Sequence, residues 1–312
     1  MLCIVSFIVL SILGIFSASN RQLAREALDC VLRRVTLRPC NTGFDEKIKA
    51  KILGVVITRS EAGARFLNRN FELLSWVAFF LLLGSSVMAV RGLYLFYVTG
   101  SCNGLNNSAF CVFDPTGQNN QVSTLGQNCS ISDNPERGVT LKNVDLSDWP
   151  VLNPGASNQV VMVGCYACDY TRKVYPSIRA LVQKYRPEFR FGEYQVKEQT
   201  DLLTRVGYCV YHTNPEKYWA MNDVLFTTEK ANLDDPSYVH QLLTSLGIDA
   251  NQIDECASDP QTQTRVEKLL NEIRRTNFPG TPTVFINGVP MVGPKPYRVY
   301  AIQLEGLFFW MK

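Results

Sequence analysis

The stretch from Gln159 to Tyr185 constrains the fold more than any other part of the chain. It begins with the apolar run Gln-Val-Val-Met-Val-Gly, which is typical of a buried strand, and Cys165-Tyr-Ala-Cys168 follows at once. The residues beyond the second cysteine favour a helix, and Pro176 should kink it. The pattern therefore predicts a strand that leads directly into a helix of about residues 165–185, with two thiols at its start.

Two cysteines three residues apart lie on one face of a helix, and a helix N-terminus stabilises a thiolate through its unpaired N–H groups and macrodipole. We therefore predict that Cys165 is the nucleophile and that Cys168, one turn inside the helix, is the buried resolving thiol. A zinc site is disfavoured because it needs about four ligands, and the chain has no second C-x-x-C motif and only His212 and His240 as histidines. A purely structural disulfide is the other alternative, and thiol–disulfide chemistry is favoured over both.

The cysteine content points to the compartment. Ten cysteines in 312 residues indicate an oxidising environment for at least part of the protein. The net charge of +3 gives no indication of nucleic-acid binding, and the length allows one large domain or two smaller ones.

Two apolar runs in the first hundred residues predict a membrane region spanning residues 1–98. The runs, about residues 2–18 and 73–98, are each long enough to cross a bilayer. The first could also be a cleaved signal peptide, but it lacks a basic segment in front, so an uncleaved anchor is favoured. Residues 20–72 between them are basic, and short basic loops stay in the cytoplasm. A two-helix transmembrane hairpin follows, with an extracytoplasmic catalytic domain. Cys30 and Cys40 are then most simply free cytoplasmic thiols, with a redox or metal role as the alternative.

Residues 99–157 have the composition of an extracytoplasmic linker, rich in Asn, Gly and Ser. The linker contains Cys102, Cys111 and Cys129, and Asn106 and Asn128 begin matches to the glycosylation pattern. Cys102–Cys111 is the preferred disulfide because the intervening loop is short and contains glycine. A cysteine pair that exchanges with the active site is the alternative.

The remainder, residues 158–312, predicts an α/β domain. A second strand is expected near residues 189–196, followed by a helical insertion of about 198–277. Residues 278–292 predict two strands joined by an Asn287-Gly288 turn. A helix at 296–311 should close the chain and cover the sheet with four apolar side chains, namely Leu304, Leu307, Phe308 and Met311.

This order of elements, together with Cys165-Tyr-Ala-Cys168 and Gly280-Thr-Pro-Thr283, resembles the thioredoxin superfamily and, more narrowly, the DsbA family of thiol–disulfide oxidoreductases. The resemblance covers about Asn158 to the C-terminus. It implies a thioredoxin-like fold with an inserted helical domain, a cis peptide bond before Pro282, and no cofactor beyond the cysteine couple. It also implies a substrate site in which the residue before the proline offers backbone hydrogen bonds to a bound peptide; the expected contacts are Thr281, Pro282, Tyr166 and Ala167.

The chain departs from the strongly oxidising members of that family at two positions. They carry Pro-His between the cysteines, where this chain has Tyr166-Ala167, and valine where it has Thr281. Without the histidine, the Cys165 pKa should be less depressed and the couple less oxidising. The direction of electron flow therefore stays open. The alternatives are a disulfide reductase or isomerase with the same site, or a redox-inactive chaperone or binding module.

The resemblance also implies partners and one further cysteine pair. Substrates would be extracytoplasmic proteins that contain cysteine, and a membrane partner of the DsbB, vitamin-K-epoxide-reductase or DsbD kind would reset the couple. Similar proteins often carry cysteines at the places of Cys209 and Cys256, which are therefore candidates for a structural disulfide inside the helical insertion. Two buried free thiols are the alternative for this pair.

Overall fold

The computed structural model describes residues 4, 6–11, 18–36, 38, 43–124, 138–196 and 201–311. They belong to two compact units, Met1–Arg91 and Gly92–Lys312. Most of the first apolar run, together with Cys40, Cys129 and Asn128, lies outside the described residues.

The first unit is helical. It contains α1 (Ala18–Val35), α2 (Phe44–Ile57), α3 (Glu61–Arg69) and most of α4 (Phe71–Thr99). Ser60 caps α3 by accepting a hydrogen bond from the Gly63 amide at 3.2 Å. A small cluster that includes Ala27, Cys30 and Phe44 is buried between α1 and α2. Cys30 is disulfide-bonded, which corrects the expectation of a free thiol at this position.

Helix α4 has the length and composition of a transmembrane helix. Its 29 residues contain a window with a mean hydropathy of 2.2, and none of that window is buried within the protein. It is the single such helix among the described residues. The second of the two expected spans therefore has a structural counterpart, whereas the two-span hairpin stays a prediction.

The second unit contains a five-stranded sheet in the order β1-β3-β2-β4-β5. Its strands are β1 (Val151–Leu152), β2 (Gln159–Gly164), β3 (Glu188–Glu193), β4 (Thr283–Ile286) and β5 (Val289–Val292). β2 and β3 are parallel and are connected through α5 (Asp169–Tyr185), whereas β4 runs antiparallel to β2. Asn287 and Gly288 join β4 to β5 with φ of 49° and 81°, the left-handed backbone that a tight hairpin turn requires. The sequence prediction of this hairpin is confirmed.

In the described part of the insertion between β3 and β4, five α-helices are present. They are α6 (Asp201–Thr213), α7 (Pro215–Leu225), α8 (Pro236–Ser245), α9 (Ala250–Ser258) and α10 (Pro260–Arg275). Local chemistry fixes where the last three begin, because the carboxylates of Asp235, Asp249 and Asp259 accept hydrogen bonds from amides in the first turns. Proline in the first turn of α7, α8 and α10 also favours the start of a helix at these positions. A disulfide between Cys209 of α6 and Cys256 of α9 joins two of these helices.

The core lies on both faces of β2 and β3. Residues Val160–Val163 of β2 and Phe189 and Phe191 of β3 are fully buried. Trp149 packs so closely on Gly192 that a Cβ there would lie 2.4 Å from the indole ring. Burial on both faces agrees with the continuous apolar pattern of a central strand.

The C-terminal helix is shorter than the sequence suggested. Helix α11 (Tyr297–Glu305) ends at Gly306, whose φ is 90°. Leu304 is buried against the sheet, whereas Leu307, Phe308 and Met311 are 37%, 58% and 73% exposed. The expectation that all four side chains cover the sheet is therefore wrong for the three that follow the glycine.

Candidate active site

The two cysteines of the C-x-x-C motif lie in the turn between β2 and α5. Cys165 and Cys168 are bridged, with their Cα atoms 5.3 Å apart, and the Cys168 amide donates to the Cys165 carbonyl at 3.2 Å. Cys168 is the N-cap residue, with extended φ and ψ of −89° and 124°, and the helix begins at Asp169. The expected helix start at Cys165 is thus corrected: the motif forms a turn that precedes the helix, and Cys168 caps it.

The packing beneath this turn requires a glycine. A Cβ on Gly164 would lie 2.8 Å from the Phe191 ring and 2.9 Å from the Thr171 methyl group. Since real Cβ contacts are longer, only glycine lets β2 end this close to β3 and α5. This close packing fixes the position from which Cys165 leaves the strand.

The side chain of Tyr166 points into the core. Its hydroxyl donates to Asn222 Oδ1 at 2.6 Å, and its ring packs on Phe226 with centroids 4.9 Å apart. Burial raises the Tyr166 pKa well above the usual value for tyrosine. Tyr166 and Ala167 are both buried, and their assignment as contacts for a docked substrate stays a prediction. Tyr166 couples the cysteine turn to the helical insertion.

Hydrogen bonds extend this coupling through the insertion. Asn222 donates to the hydroxyl of Tyr175 at 2.7 Å, and Tyr175 donates to Asp223 at 2.5 Å. Asp223 also binds Arg179 through both carboxylate oxygens, at 2.6 and 2.7 Å. Burial is the main cause of the raised Tyr175 pKa. The network ties α5 to α7 directly behind the cysteine turn.

Arg172 is a site residue that the sequence analysis missed. It lies one turn beyond Cys168, and its Nε donates to the Tyr166 carbonyl at 2.6 Å. Its Nη2 donates to the carbonyls of Leu225 and Thr228. Burial lowers the Arg172 pKa, and the nearby Asp169 carboxylate opposes that shift. The sequence signal that could have identified Arg172 is a basic residue four positions after the second cysteine. Its side chain places a positive charge beside a motif that contains no histidine.

The loop before β4 lies beside the cysteine turn. The peptide bond between Thr281 and Pro282 is cis, as the family resemblance implied. β4 pairs with β2 so that Thr283 lies opposite Val163, two residues before Cys165. Continuing this antiparallel register places Thr281 next to Cys165. The structure therefore brings together the cysteine couple and the two residues predicted to hold a peptide.

A disulfide loop from the linker docks at the edge of the sheet. Cys102 and Cys111 are bridged, and Asn106 between them contacts β5. Its Nδ2 donates to the Pro290 carbonyl at 2.8 Å and its Oδ1 accepts from the Val292 amide at 2.9 Å. Because Nδ2 is the atom that carries the sugar in N-glycosylation, this contact argues against the modification that the sequence pattern at Asn106 suggested.

A family model described as a DSBA-like thioredoxin domain matches residues 132–305, more than half of the chain. The chain belongs to the DSBA-like thioredoxin domain family. Members of this family are thiol–disulfide oxidoreductases that act on cysteine-containing proteins outside the cytoplasm. The match confirms the predicted thioredoxin-like fold. The matched residues include both the cysteine turn and the cis-proline loop.

Solved structures that are similar to part of the chain are distant from it in sequence. Oxidised BdbD from Bacillus subtilis is 21% identical, with 50% of this chain and 89% of that chain covered and a TM-score of 0.43. The catalytic domain of Proteus mirabilis ScsC is 16% identical over 55% and 93% of the two chains, with a TM-score of 0.46. The thiol-disulfide exchange protein alpha-DsbA2 from Wolbachia pipientis is 18% identical over 48% and 82%, with a TM-score of 0.42. No curated protein showed significant similarity to the chain.

Proposed function

We propose that this DSBA-like protein is a membrane-anchored thiol–disulfide oxidoreductase whose redox couple is Cys165–Cys168. The observation that carries the proposal is the position of the bridged cysteines, at the N-terminus of α5 and beside the cis bond before Pro282. A helix N-terminus favours the thiolate that disulfide exchange releases. Arg172 adds a positive charge near the same turn.

The proposed reaction passes through a mixed disulfide. A substrate thiolate attacks the Cys165 sulfur, so that a new bond joins substrate to Cys165 and Cys168 leaves as a thiolate. A second substrate thiolate then attacks the substrate sulfur of that bond and releases Cys165. The substrate gains a disulfide and loses two electrons, which reside in the reduced cysteine pair. Run backwards, the same steps reduce a substrate disulfide.

In this proposal Thr281 and Pro282 hold the substrate as an added strand, through main-chain hydrogen bonds. No cofactor takes part, since the cysteine pair itself carries both electrons. A membrane partner of the DsbB or vitamin-K-epoxide-reductase kind would reoxidise the pair, and one of the DsbD kind would reduce it. Because the motif has no histidine, we place the reduction potential between about −270 and −120 mV, the values for thioredoxin and DsbA.

The activity is tested on the full-length protein in detergent. We expect the oxidised protein to form disulfides in a reduced, unfolded substrate, and the reduced protein to reduce insulin. The Cys165→Ser variant, which keeps the fold and removes the attacked sulfur, should do neither. Equal rates for the two proteins would contradict the proposal. The measured reduction potential then decides between net oxidation and net reduction of substrates.

The proposed location is the outer face of a cytoplasmic membrane, with α4 as an anchor. DSBA-like proteins are extracytoplasmic, and α4 is an apolar, unburied helix. Phe113, two residues after Cys111, packs on Phe96 near the end of α4, with ring centroids 5.2 Å apart. Phe110 and Val112 beside it are each 74% exposed, as expected for side chains next to a bilayer surface.

Two features of the first unit point to opposite sides of the membrane. The basic charge of residues 20–72 belongs with the cytoplasm, whereas the disulfide at Cys30 belongs with an oxidising compartment. We give more weight to the charge, since it acts over the whole segment. The proposed topology therefore keeps this segment inside and the DSBA-like domain outside.

Labelling of single added cysteines tests this topology. Asn68 and Thr264 are both exposed residues, one in each unit. A membrane-impermeant maleimide on intact cells should label Thr264→Cys above the level of the unmodified protein and should label Asn68→Cys only after the cells are opened. Labelling of Asn68→Cys in intact cells would place the first unit outside and overturn the proposed orientation.

A further inference from the structure

The backbone groups of Thr281 that the proposed function assigns to a substrate are occupied by the chain itself. The Ser123 amide donates to the Thr281 carbonyl at 2.8 Å, and the Thr281 amide donates to the Ser123 carbonyl at 2.9 Å. These reciprocal bonds make a hydrogen-bonded antiparallel pair, the arrangement that an added strand would form. A backbone amide has one N–H to donate, so Ser123 and a substrate strand exclude each other at Thr281.

The segment around Ser123, residues 119–124, is here called the strap. Side chains from two other parts of the second unit hold it by hydrogen bonds. Tyr170, in the first turn of α5, donates its hydroxyl to Gln121 Oε1 at 2.7 Å. Lys295, which is 3% exposed, donates to the Asn119 carbonyl at 2.8 Å and to Asn120 Oδ1. The strap therefore bridges the two elements that flank the couple, the active-site helix and the cis-proline loop.

Two glycines make room for the backbone of the strap. A Cβ on Gly280 would lie 2.6 Å from the Ser123 carbonyl oxygen. A Cβ on Gly293 would lie 2.7 Å from the Asn120 carbonyl carbon and 2.8 Å from the Gln121 carbonyl oxygen. Any other residue would push the strap away at both places. Gly280 in the cis-proline loop and Gly293 directly after β5 thus both leave room for the strap to lie against them.

The site is covered while the strap is in place. Cys165, Cys168 and Thr281 are each 0% exposed. The hydroxyl of Thr281 is buried, and the described part of the structure contains no hydrogen-bond partner for it. A folded substrate protein has no access to a sulfur that is fully buried, whereas exchange needs in-line attack on that sulfur.

We infer that the strap is an intramolecular occupant of the substrate-strand position, which a substrate must displace before it reaches Cys165. This inference rests on the proposed function, because it takes Thr281 as the residue that pairs with substrate. A site that is open only part of the time binds its ligand more weakly in proportion to the open fraction. The strap thereby lowers the reactivity of the couple toward proteins without a strand able to compete for Thr281.

The kinetic test uses full-length variants in detergent. Ser123→Pro removes the amide that donates to Thr281, whereas the matched control Ser123→Ala keeps both backbone groups. Since one net hydrogen bond is worth about a factor of five in an equilibrium, kcat/KM for a cysteine-containing peptide should rise about fivefold in Ser123→Pro and stay unchanged in Ser123→Ala. Tyr170→Phe, which releases Gln121, should give a smaller rise. If Ser123→Pro and Tyr170→Phe both match Ser123→Ala, the inference is wrong.

A second measurement separates this inference from the proposed function. A peptide that carries an activated disulfide is attached to Cys165 of the Cys168→Ser protein, and amide hydrogen exchange is compared with and without the peptide. Exchange in residues 119–124 should increase on attachment, because the strap is displaced. Unchanged protection of these residues overturns the strap. If exchange increases in this variant but the unmodified protein shows no oxidation or reduction of substrates, the strap stands and the proposed function fails.

Discussion

Cys168→Ser should accumulate covalent complexes with extracytoplasmic proteins, and Cys165→Ser should accumulate none. In this variant the Cys165 thiolate still attacks a substrate disulfide and forms a mixed disulfide, which the thiol of Cys168 would otherwise resolve by attacking the Cys165 sulfur. Without that thiol, the mixed disulfide persists until an external thiol cleaves it. Non-reducing gels of cells that express each variant, compared with reduced samples, measure the adducts directly.

Several controls sharpen this result. The double variant Cys165→Ser/Cys168→Ser should be free of adducts, which separates trapping at Cys165 from disulfides made by the other cysteines. Pro282→Ala should also lengthen the life of mixed disulfides, since the strand position beside Cys165 is disturbed. Adducts on Cys165→Ser instead of Cys168→Ser would reverse the roles of the two sulfurs. If neither Cys168→Ser nor Pro282→Ala holds adducts, the oxidoreductase proposal fails.

Of the disulfides in the described part of the second unit, Cys209–Cys256 should contribute most to stability. Its removal should therefore lower the free energy of unfolding more than removal of any of the others. The two cysteines are 47 positions apart. A crosslink that closes a loop of this length stabilises a protein by about 4 kcal/mol in the chain-entropy model. The variant with both cysteines changed to alanine should therefore unfold at a lower urea concentration while its Cys165–Cys168 exchange activity in native buffer is kept.

The disulfide between Cys102 and Cys111 is the matched control. Its cysteines are 9 positions apart, and the same model gives a smaller contribution of about 2.5 kcal/mol. Urea unfolding of the two double-alanine variants measures the difference. An equal or larger loss for the Cys102–Cys111 pair would contradict the loop-length account and would point to native contacts of that loop as the main source of stability.

The sequence predicted the elements of the site better than their local geometry. The strand before Cys165 and the hairpin at Asn287 follow from short-range patterns, an apolar run and an Asn-Gly turn, and both are present. The start of α5 was wrong by four residues. Same-face spacing of two cysteines is compatible with a helix, but the bond between Cys168 N–H and the Cys165 carbonyl closes a turn instead.

Two features that the sequence did not reveal share a physical cause, since each depends on a partner far away in the chain. Nothing in the local sequence of Tyr166 shows that Asn222, 56 residues later, will receive its hydroxyl. The pairing of Ser123 with Thr281 joins a polar linker to the catalytic domain, and polar linkers carry no hydrophobic pattern to fix a register. At Cys30 the charge of the surrounding segment favoured a free thiol, whereas the cysteine is disulfide-bonded.

The contact of Asn106 with β5 has a consequence for solubility. β5 is the last strand of the sheet, and an open edge offers its unpaired backbone groups to any other chain in an extended conformation. One asparagine side chain satisfies the Pro290 carbonyl and the Val292 amide at this edge, and Pro290 has no N–H to donate. On the opposite side, β1 is only two residues long. Short or occupied edges of this kind keep neighbouring molecules from extending the sheet and so oppose aggregation.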